Sequence, residues 1–392
     1  MRYLLFDDQN RINLLPLAYT RPVAEFRVGI LTIKEKWAKR MPSNATFSGF
    51  VTEEYLQAKF PASIQEDQIW INASICPNAS LVKKITSLNC NQSLYDHSNN
   101  LIAFRADTFE NSADCKKITT DISFTHILNV WDIFSKNGEE LKADFDLLTK
   151  GRTSKEMNAT NTLLGKENIF VEEGAQVSCA IINAESGPVY IGKNSVVMEG
   201  SIIKGPFALC ESSHTKLGAK IYGPTTVGPH SKVGGELNNV VVFGYSNKGH
   251  DGFLGNSVLG EWCNIGADSN NSNLKNNYAE VKLWKYELNR FTPTGLQFCG
   301  LIMGDHSKCG INTMFNTGTV VGVSANIFGA GFPRNFIPSF SWGGPQGQTT
   351  YKTNKAFEVA EKVMSRRAVD FNEMDREILT KVFELSEQYR RS

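Results

Sequence analysis

Residues 191–233 carry an aliphatic or small side chain at every sixth position. The series is Ile191, Val197, Ile203, Leu209, Thr215, Ile221, Val227 and Val233. A period of six matches neither the 3.6 of a helix nor the 2 of an isolated strand. It fits a parallel β-solenoid, in which each short strand forms one side of a coil. The phase returns at Phe253, Leu259 and Ile265, then at Met303, Cys309, Phe315, Val321 and Ile327. Four residues after the aliphatic position the side chain is small, as at Ser195, Ser201, Ala219, Ser231, Ser257, Cys263, Ser307 and Ala325. Phe207 and Leu237 are exceptions. Both positions are expected to point inward. Glycine often follows the aliphatic residue, as at Gly192, Gly228, Gly266, Gly304 and Gly322. Turns that need positive φ would favour it there.

A chain of 392 residues accommodates two or three domains. A net charge of +1 leaves no broad basic footprint for nucleic acid. No apolar run approaches the length of a membrane span. The first residues form a short strand-like run rather than a secretory signal. The eight cysteines include no Cys-x-x-Cys pair. These features lead to the expectation of a reduced, cytoplasmic location without nucleic-acid or membrane partners.

Residues 1–150 alternate strand and helix signals, which predicts a small α/β domain. Strands are expected at 3–6, 68–75 and 101–105, with helices at 30–40, 129–136 and 139–148. A polar linker is expected at 151–168, the solenoid domain at 169–340, and amphipathic helices at 353–391. Two stretches interrupt the hexads. Residues 238–252 break phase and carry His250-Asp251-Gly252, and 270–296 form an asparagine-rich insertion. Loops ejected from a regular scaffold are site candidates.

The run from Lys248 to Ala267, KGHDGFLGNSVLGEWCNIGA, resembles the acetyltransferase core of bacterial bifunctional GlmU enzymes. The run from Leu14 to Ile33, LLPLAYTRPVAEFRVGILTI, resembles the segment after the nucleotide loop of sugar nucleotidyltransferases. The whole chain is most similar to a shortened, alternative GlmU-like family. That resemblance implies a short nucleotidyltransferase-like α/β domain, a left-handed parallel β-helix and a homotrimer with sites between subunits. It implies acetylation of glucosamine-1-phosphate from acetyl-CoA and uridylyl transfer from UTP, giving UDP-N-acetylglucosamine.

An amine attacking a thioester must lose a proton, and a histidine with a near-neutral pKa suits that work. By resemblance His250 is this general base. Its bland alternative is a loop histidine bracing the Asp251-Gly252 turn. By the same resemblance Glu236, Asn264 and Asn273 would contact the acceptor, and Ala267 the thioester arm. Lys248 and Lys275 could meet the sugar phosphate, and Arg334 a CoA phosphate. Glu236 reads equally well as an outward solenoid charge, and the lysines as solvated cations. Leu274 and Phe253 stand where the family has tyrosines, which leaves the acceptor sugar open.

Nucleotidyl transfer needs donors around a triphosphate and a metal held by carboxylates. Strand one here runs into Asp7-Asp8-Gln9-Asn10-Arg11, with no glycine-rich cradle. Arg21, Arg27 and Lys36 are the candidate replacements, and Asp7 and Asp8 the candidate Mg²⁺ ligands. Asn72 stands where the family has an aspartate. The N-terminal domain is therefore either a divergent uridylyltransferase or a scaffold. Other readings stay open: thymidylyl transfer to another sugar phosphate, a non-catalytic sugar-nucleotide sensor, and, less favoured, a three-histidine zinc hydratase.

Overall fold

The computed structural model describes residues 1–390. Residue 391 of the expected C-terminal helical segment therefore lies outside the described residues. The chain clusters into two compact units. The first comprises Met1–Leu14, Thr20–Phe26 and Leu31–Leu128, and the second Leu15–Tyr19, Arg27–Ile30 and Asn129–Ser392.

The first unit is an α/β domain around a six-stranded sheet. Its strand order is Thr46–Val51, Arg2–Phe6, Gln68–Asn72, Leu101–Ala106, Gln92–Tyr95, Lys116–Thr119. The first three strands run parallel, and Leu101–Ala106 is antiparallel to Gln68–Asn72. The middle strand Gln68–Asn72 is buried at every position. Trp70 stacks on Phe104 at 5.5 Å, and Phe6 meets Phe104 at 5.8 Å. Helix Ile33–Arg40 starts at a capping box of Thr32 and Glu35, which satisfies two otherwise orphan amides.

The second unit is a parallel β-helix with C-terminal helices. Strands stack in three faces. Ile169–Val171, Val189–Ile191, Phe207–Leu209 and Thr225–Val227 begin the first. Val196–Val197, His214–Thr215, Lys232–Val233, Asn247–Lys248 and Asn264–Ile265 follow one another on the second. Ile181–Asn183, Ile202–Lys204 and Lys220–Tyr222 lie on the third. The expected inward residues form one continuous core from Ile169 to Ile337.

The phase break has a simple cause. Leu209 pairs with Val227, 18 residues on, but Val227 pairs with Val242, 15 residues on. One coil is short, so the chain turns its corner as a single strand, Glu236–Gly244, spanning two faces. Leu237 is thus an ordinary inward residue paired with Ile221. In the next coil Leu254, not Phe253, points inward. The polar stretch 151–168 already contributes a strand, Thr162–Leu164, which pairs with Ile181–Asn183. The long insertion folds as a hairpin of Lys282–Lys285 and Arg290–Pro293.

The glycines after the aliphatic positions serve close stacking rather than turning. None of Gly192, Gly228, Gly266, Gly304 and Gly322 has positive φ, which falls instead on corner residues such as Asn194, His230, Trp262 and His306. A Cβ on Gly192 would lie 2.8 Å from Leu209 O, and one on Gly304 2.9 Å from Gly322 C. Real side chains do not tolerate such contacts. The small inward residues tie coils together: Ser213 Oγ donates to Gly228 O at 2.7 Å and accepts from Ser231 N at 3.2 Å. Ser307 Oγ does the same for Gly322 O and Ala325 N.

Segment Arg27–Ile30 joins this unit through polar contacts. Gly29 N donates to Asn137 Oδ1 at 2.8 Å, and Ile30 N to Asp144 Oδ2 at 2.9 Å. Both acceptors lie on helix Asn137–Thr149, which packs on the first face through Leu141 and Ile30. Helix Thr353–Ser365 lies along the second face, where Ala356 and Val359 share a pocket with His306, Lys308 and Asn326, and Phe383 of helix Glu373–Leu385 is edge-on to Phe340 at 5.2 Å. No helix among the described residues is long and apolar enough to cross a membrane.

Gly228→Ala is expected to destabilise the fold by about 1–3 kcal/mol, because its Cβ meets the Phe243 carbonyl of the next coil. Gly249 faces open space and has no positive φ. Gly249→Ala should stay within about 0.5 kcal/mol of wild type in the same denaturant titration.

Candidate functional site

His250 stands exposed on the corner between the second and third faces, in the turn after Lys248. That turn is held from inside. Lys248 occupies an inward position, in register with Val233, and is 2% exposed. Its Nζ donates to His250 O at 2.6 Å and Asp251 O at 3.1 Å. Burial pushes the ammonium down to about 8. The expected phosphate contact at Lys248 thus gives way to a structural role. Its charge is directed at the carbonyls of the turn that presents His250.

The preceding coil packs directly beneath. Glu236 N donates to Gly252 O at 3.2 Å, and a Cβ on Gly235 would lie 2.8 Å from His250 O. Lys220, Glu236 and Phe253 are successive partners in one row of the third face. Tyr222 Oη donates to Glu236 Oε1 at 2.6 Å. This bond raises the Tyr222 phenol to about 12, so it stays protonated at neutral pH. Lys220 and Tyr222 were missed from sequence. Their signal was the coil length, which places Tyr222 beside Asn238, 16 residues on.

The remaining candidates divide. Asn264 is exposed on the second face, in the same row as Asn247 and Lys308. Asn273 Nδ2 donates to Asn256 Oδ1 at 2.8 Å. Ala267 O accepts from Asn312 N at 2.8 Å. Lys275 Nζ donates to Glu280 O at 2.8 Å. Lys275 and Arg334 come together in a cleft of about 1020 Å³, which also takes in Lys282, Trp284 and Arg390. His250 does not line this cleft.

In the N-terminal domain the expected cations are all buried: Arg21 is 6% exposed and Lys36 0%. Arg27 belongs to the solenoid unit, where Nε donates to Phe243 O at 3.1 Å and a second guanidinium nitrogen to Ile30 O. A triphosphate-facing role does not fit these positions. Asp7 is sequestered too. It pairs with Arg11 at 3.2 Å and accepts from Thr52 Oγ1 at 2.5 Å and Val23 N at 3.0 Å. Burial raises its carboxyl to about 6 against the pull of Arg11.

Asp8 accepts from Asn10 and from Asn72 Nδ2 at 2.9 Å, while Asn72 Oδ1 accepts from Ser74. Among the described residues no three His, Cys, Asp or Glu side chains converge as a metal centre. Asp7 and Asn72 do not fit as Mg²⁺ ligands, because their oxygens are already bonded within the fold.

Residues 3–153 match the family model described as Sugar nucleotidyl transferase. The N-terminal domain is nucleotidyltransferase-like. The Bifunctional protein GlmU of Trichodesmium erythraeum (strain IMS101) is 30% identical over 142 residues, 35% of this chain and 25% of that protein. The chain therefore matches about a quarter of that relative's length. A UDP-N-acetylglucosamine acyltransferase from Campylobacter jejuni aligns at 14% identity over 60% of this chain and 83% of its own, with a TM-score of 0.29. The Arabidopsis UDP-N-acetylglucosamine acyltransferase aligns at 15% identity over 60% and 91%, with a TM-score of 0.24. In this chain the nucleotidyltransferase-like domain precedes a parallel β-helix.

Lys248 sets a pH dependence. In the fold it deprotonates near 8, and in the unfolded chain near the ordinary lysine value of 10.5. Between these values the unfolded chain binds more protons, so stability rises with pH. Wild type should gain stability relative to Lys248→Met from pH 8 to 10.5 in chemical denaturation. A constant difference across that range would remove the buried-ammonium account.

Proposed function

We propose that the chain is a two-domain sugar-phosphate transferase. Its solenoid acetylates glucosamine-1-phosphate from acetyl-CoA, and its N-terminal domain transfers uridylyl from UTP to the sugar-1-phosphate. The observation that carries this reading is the exposed His250 on a turn fixed by the buried Lys248. An unprotonated imidazole there takes the proton from the acceptor amine as its nitrogen attacks the thioester carbonyl. The C–N bond forms, the C–S bond breaks, and the proton leaves with CoA thiol. Tyr222 and Glu236 offer one donor and one acceptor to sugar hydroxyls beside the turn, and Lys220 a cation for the phosphate.

On this reading the protein works as a cytoplasmic homotrimer, each His250 facing a neighbouring solenoid. Asn264, Asn273, Ala267, Lys275 and Arg334 would meet the acceptor or CoA across that boundary. For the N-terminal half a second reading is favoured by the burial of Arg21 and Lys36 and the internal pairing of Asp7. There the domain binds a sugar nucleotide or serves as a scaffold without transferring uridylyl.

His250→Ala is expected to lower acetyl transfer about 10²–10⁴-fold, read by mass spectrometry of the sugar phosphate, with an unchanged melting temperature. A folded variant with wild-type turnover would overturn the assignment. The same samples given UTP and Mg²⁺ separate the two readings of the N-terminal half: UDP-sugar appears under the first and not under the second.

A further inference from the structure

Four cationic side chains and a histidine gather where the second solenoid face meets the turn after helix Thr353–Ser365. His214 and Lys232 are register partners on adjacent coils, which places them about 4.8 Å apart along the stack. Lys216 leaves the chain two residues after His214. Arg366 caps the helix, and Arg367 follows it. Arg367 reaches the solenoid directly, donating to Asn247 Oδ1 at 3.4 Å. Asn247 is the next member of the His214–Lys232 row. All five side chains but Arg366 are half-buried.

These groups act on one another. Burial, then Lys232, Lys216 and Arg367, disfavour the protonated form of His214. Burial, then Arg367, Lys216 and Arg366, hold Lys232 below the ordinary lysine value. Collecting like charges raises the free energy of the fold unless something compensates. Among the described residues no carboxylate figures in the charges acting on either group. The acids of the adjoining helix are engaged elsewhere, Glu358 by Lys355 and Lys362, and Glu361 by Arg376. At the neighbouring corner burial, then Glu261 and Glu211, push the Tyr245 phenol up while Arg367 pulls it down.

We propose that His214, Lys216, Lys232, Arg366 and Arg367 form a binding site for a compact polyanion, a diphosphate or phosphomonoester. The guanidinium groups offer forked donors to phosphate oxygens, and the lysines compact point charges. Such a ligand would bridge the second face to the turn between the C-terminal helices, and so hold those helices to the solenoid. The site stands apart from the His250 corner and does not depend on the acetyl-transfer reading.

The test is isothermal titration of the full chain with pyrophosphate and, separately, with orthophosphate, alongside thermal melts. The variants are Lys232→Gln/Arg367→Gln, His250→Ala, and Lys142→Gln/Lys150→Gln, which removes two exposed cations elsewhere. Wild type, His250→Ala and the Lys142/Lys150 control should bind pyrophosphate and melt several degrees higher with it. The Lys232/Arg367 variant should bind at least ten-fold more weakly, yet melt no lower than wild type without ligand, because repulsion is relieved. A stronger response to orthophosphate than to pyrophosphate would assign the site to a phosphomonoester. Equal affinity in wild type and the Lys232/Arg367 variant overturns the proposal, as does the absence of binding to wild type at millimolar concentrations of both anions. Should the double variant not fold, Lys216→Gln carries the same test, with an expected loss of at least three-fold.

Discussion

Backbone stacked on backbone, with no space for a side chain between coils, is the constraint on which the solenoid depends. Gly192, Gly228, Gly266, Gly304 and Gly322 each sit where the next coil comes too close for a Cβ. That closeness lets Ser213, Ser231, Ser246 and Ser307 satisfy corner amides and carbonyls from inside the prism. A buried backbone polar group without such a partner is costly. The hydroxyls therefore do for the corners what the ladders do for the faces. A rigid frame of this kind can hold a histidine at a corner without help from a loop.

The shortened coil turns that frame into a candidate site. Losing three residues between Val227 and Val242 pulls the corner tight and shifts the inward residue from an aliphatic one to Lys248. A lysine in the core is unfavourable to bury as an ammonium. Its bonds to the carbonyls of His250 and Asp251 offset part of that penalty and fix the turn. The same shortening puts Glu236 one coil and Tyr222 two coils below the histidine, joined by their hydrogen bond. Geometry around His250 thus follows from register, and register follows from coil length.

Much of the solenoid was legible because its period is covalent: each sixth residue faces inward whatever the outer surface does. The interruption at 238–252 was visible as well, yet its nature was not, since a deletion within a repeat and an ejected loop break phase alike. Phe253 and Leu254 show the limit. Adjacent apolar residues give no hint which faces inward until the partner strand is placed. The stacking glycines stand out in the sequence, but φ is the wrong reason for them, because a contact between coils demands them instead. Lys248, Arg21, Arg27 and Lys36 read as ligand-facing cations by residue type, yet all four are buried. Charge type can be read from a sequence, whereas exposure is decided by packing. The match of residues 3–153 to sugar nucleotidyl transferases accords with the α/β texture read there, although strands such as Thr46–Val51 carry too little alternation to be seen.

The central claim is that the imidazole of His250 removes the proton during acetyl transfer. Chemical rescue addresses it most directly: acetyl transfer to glucosamine-1-phosphate by His250→Gly, with imidazole added over a range of pH. The account predicts a nearly inactive variant whose rate returns with imidazole and tracks its neutral form. An active wild type beside a folded His250→Gly that keeps its full rate without imidazole would contradict it.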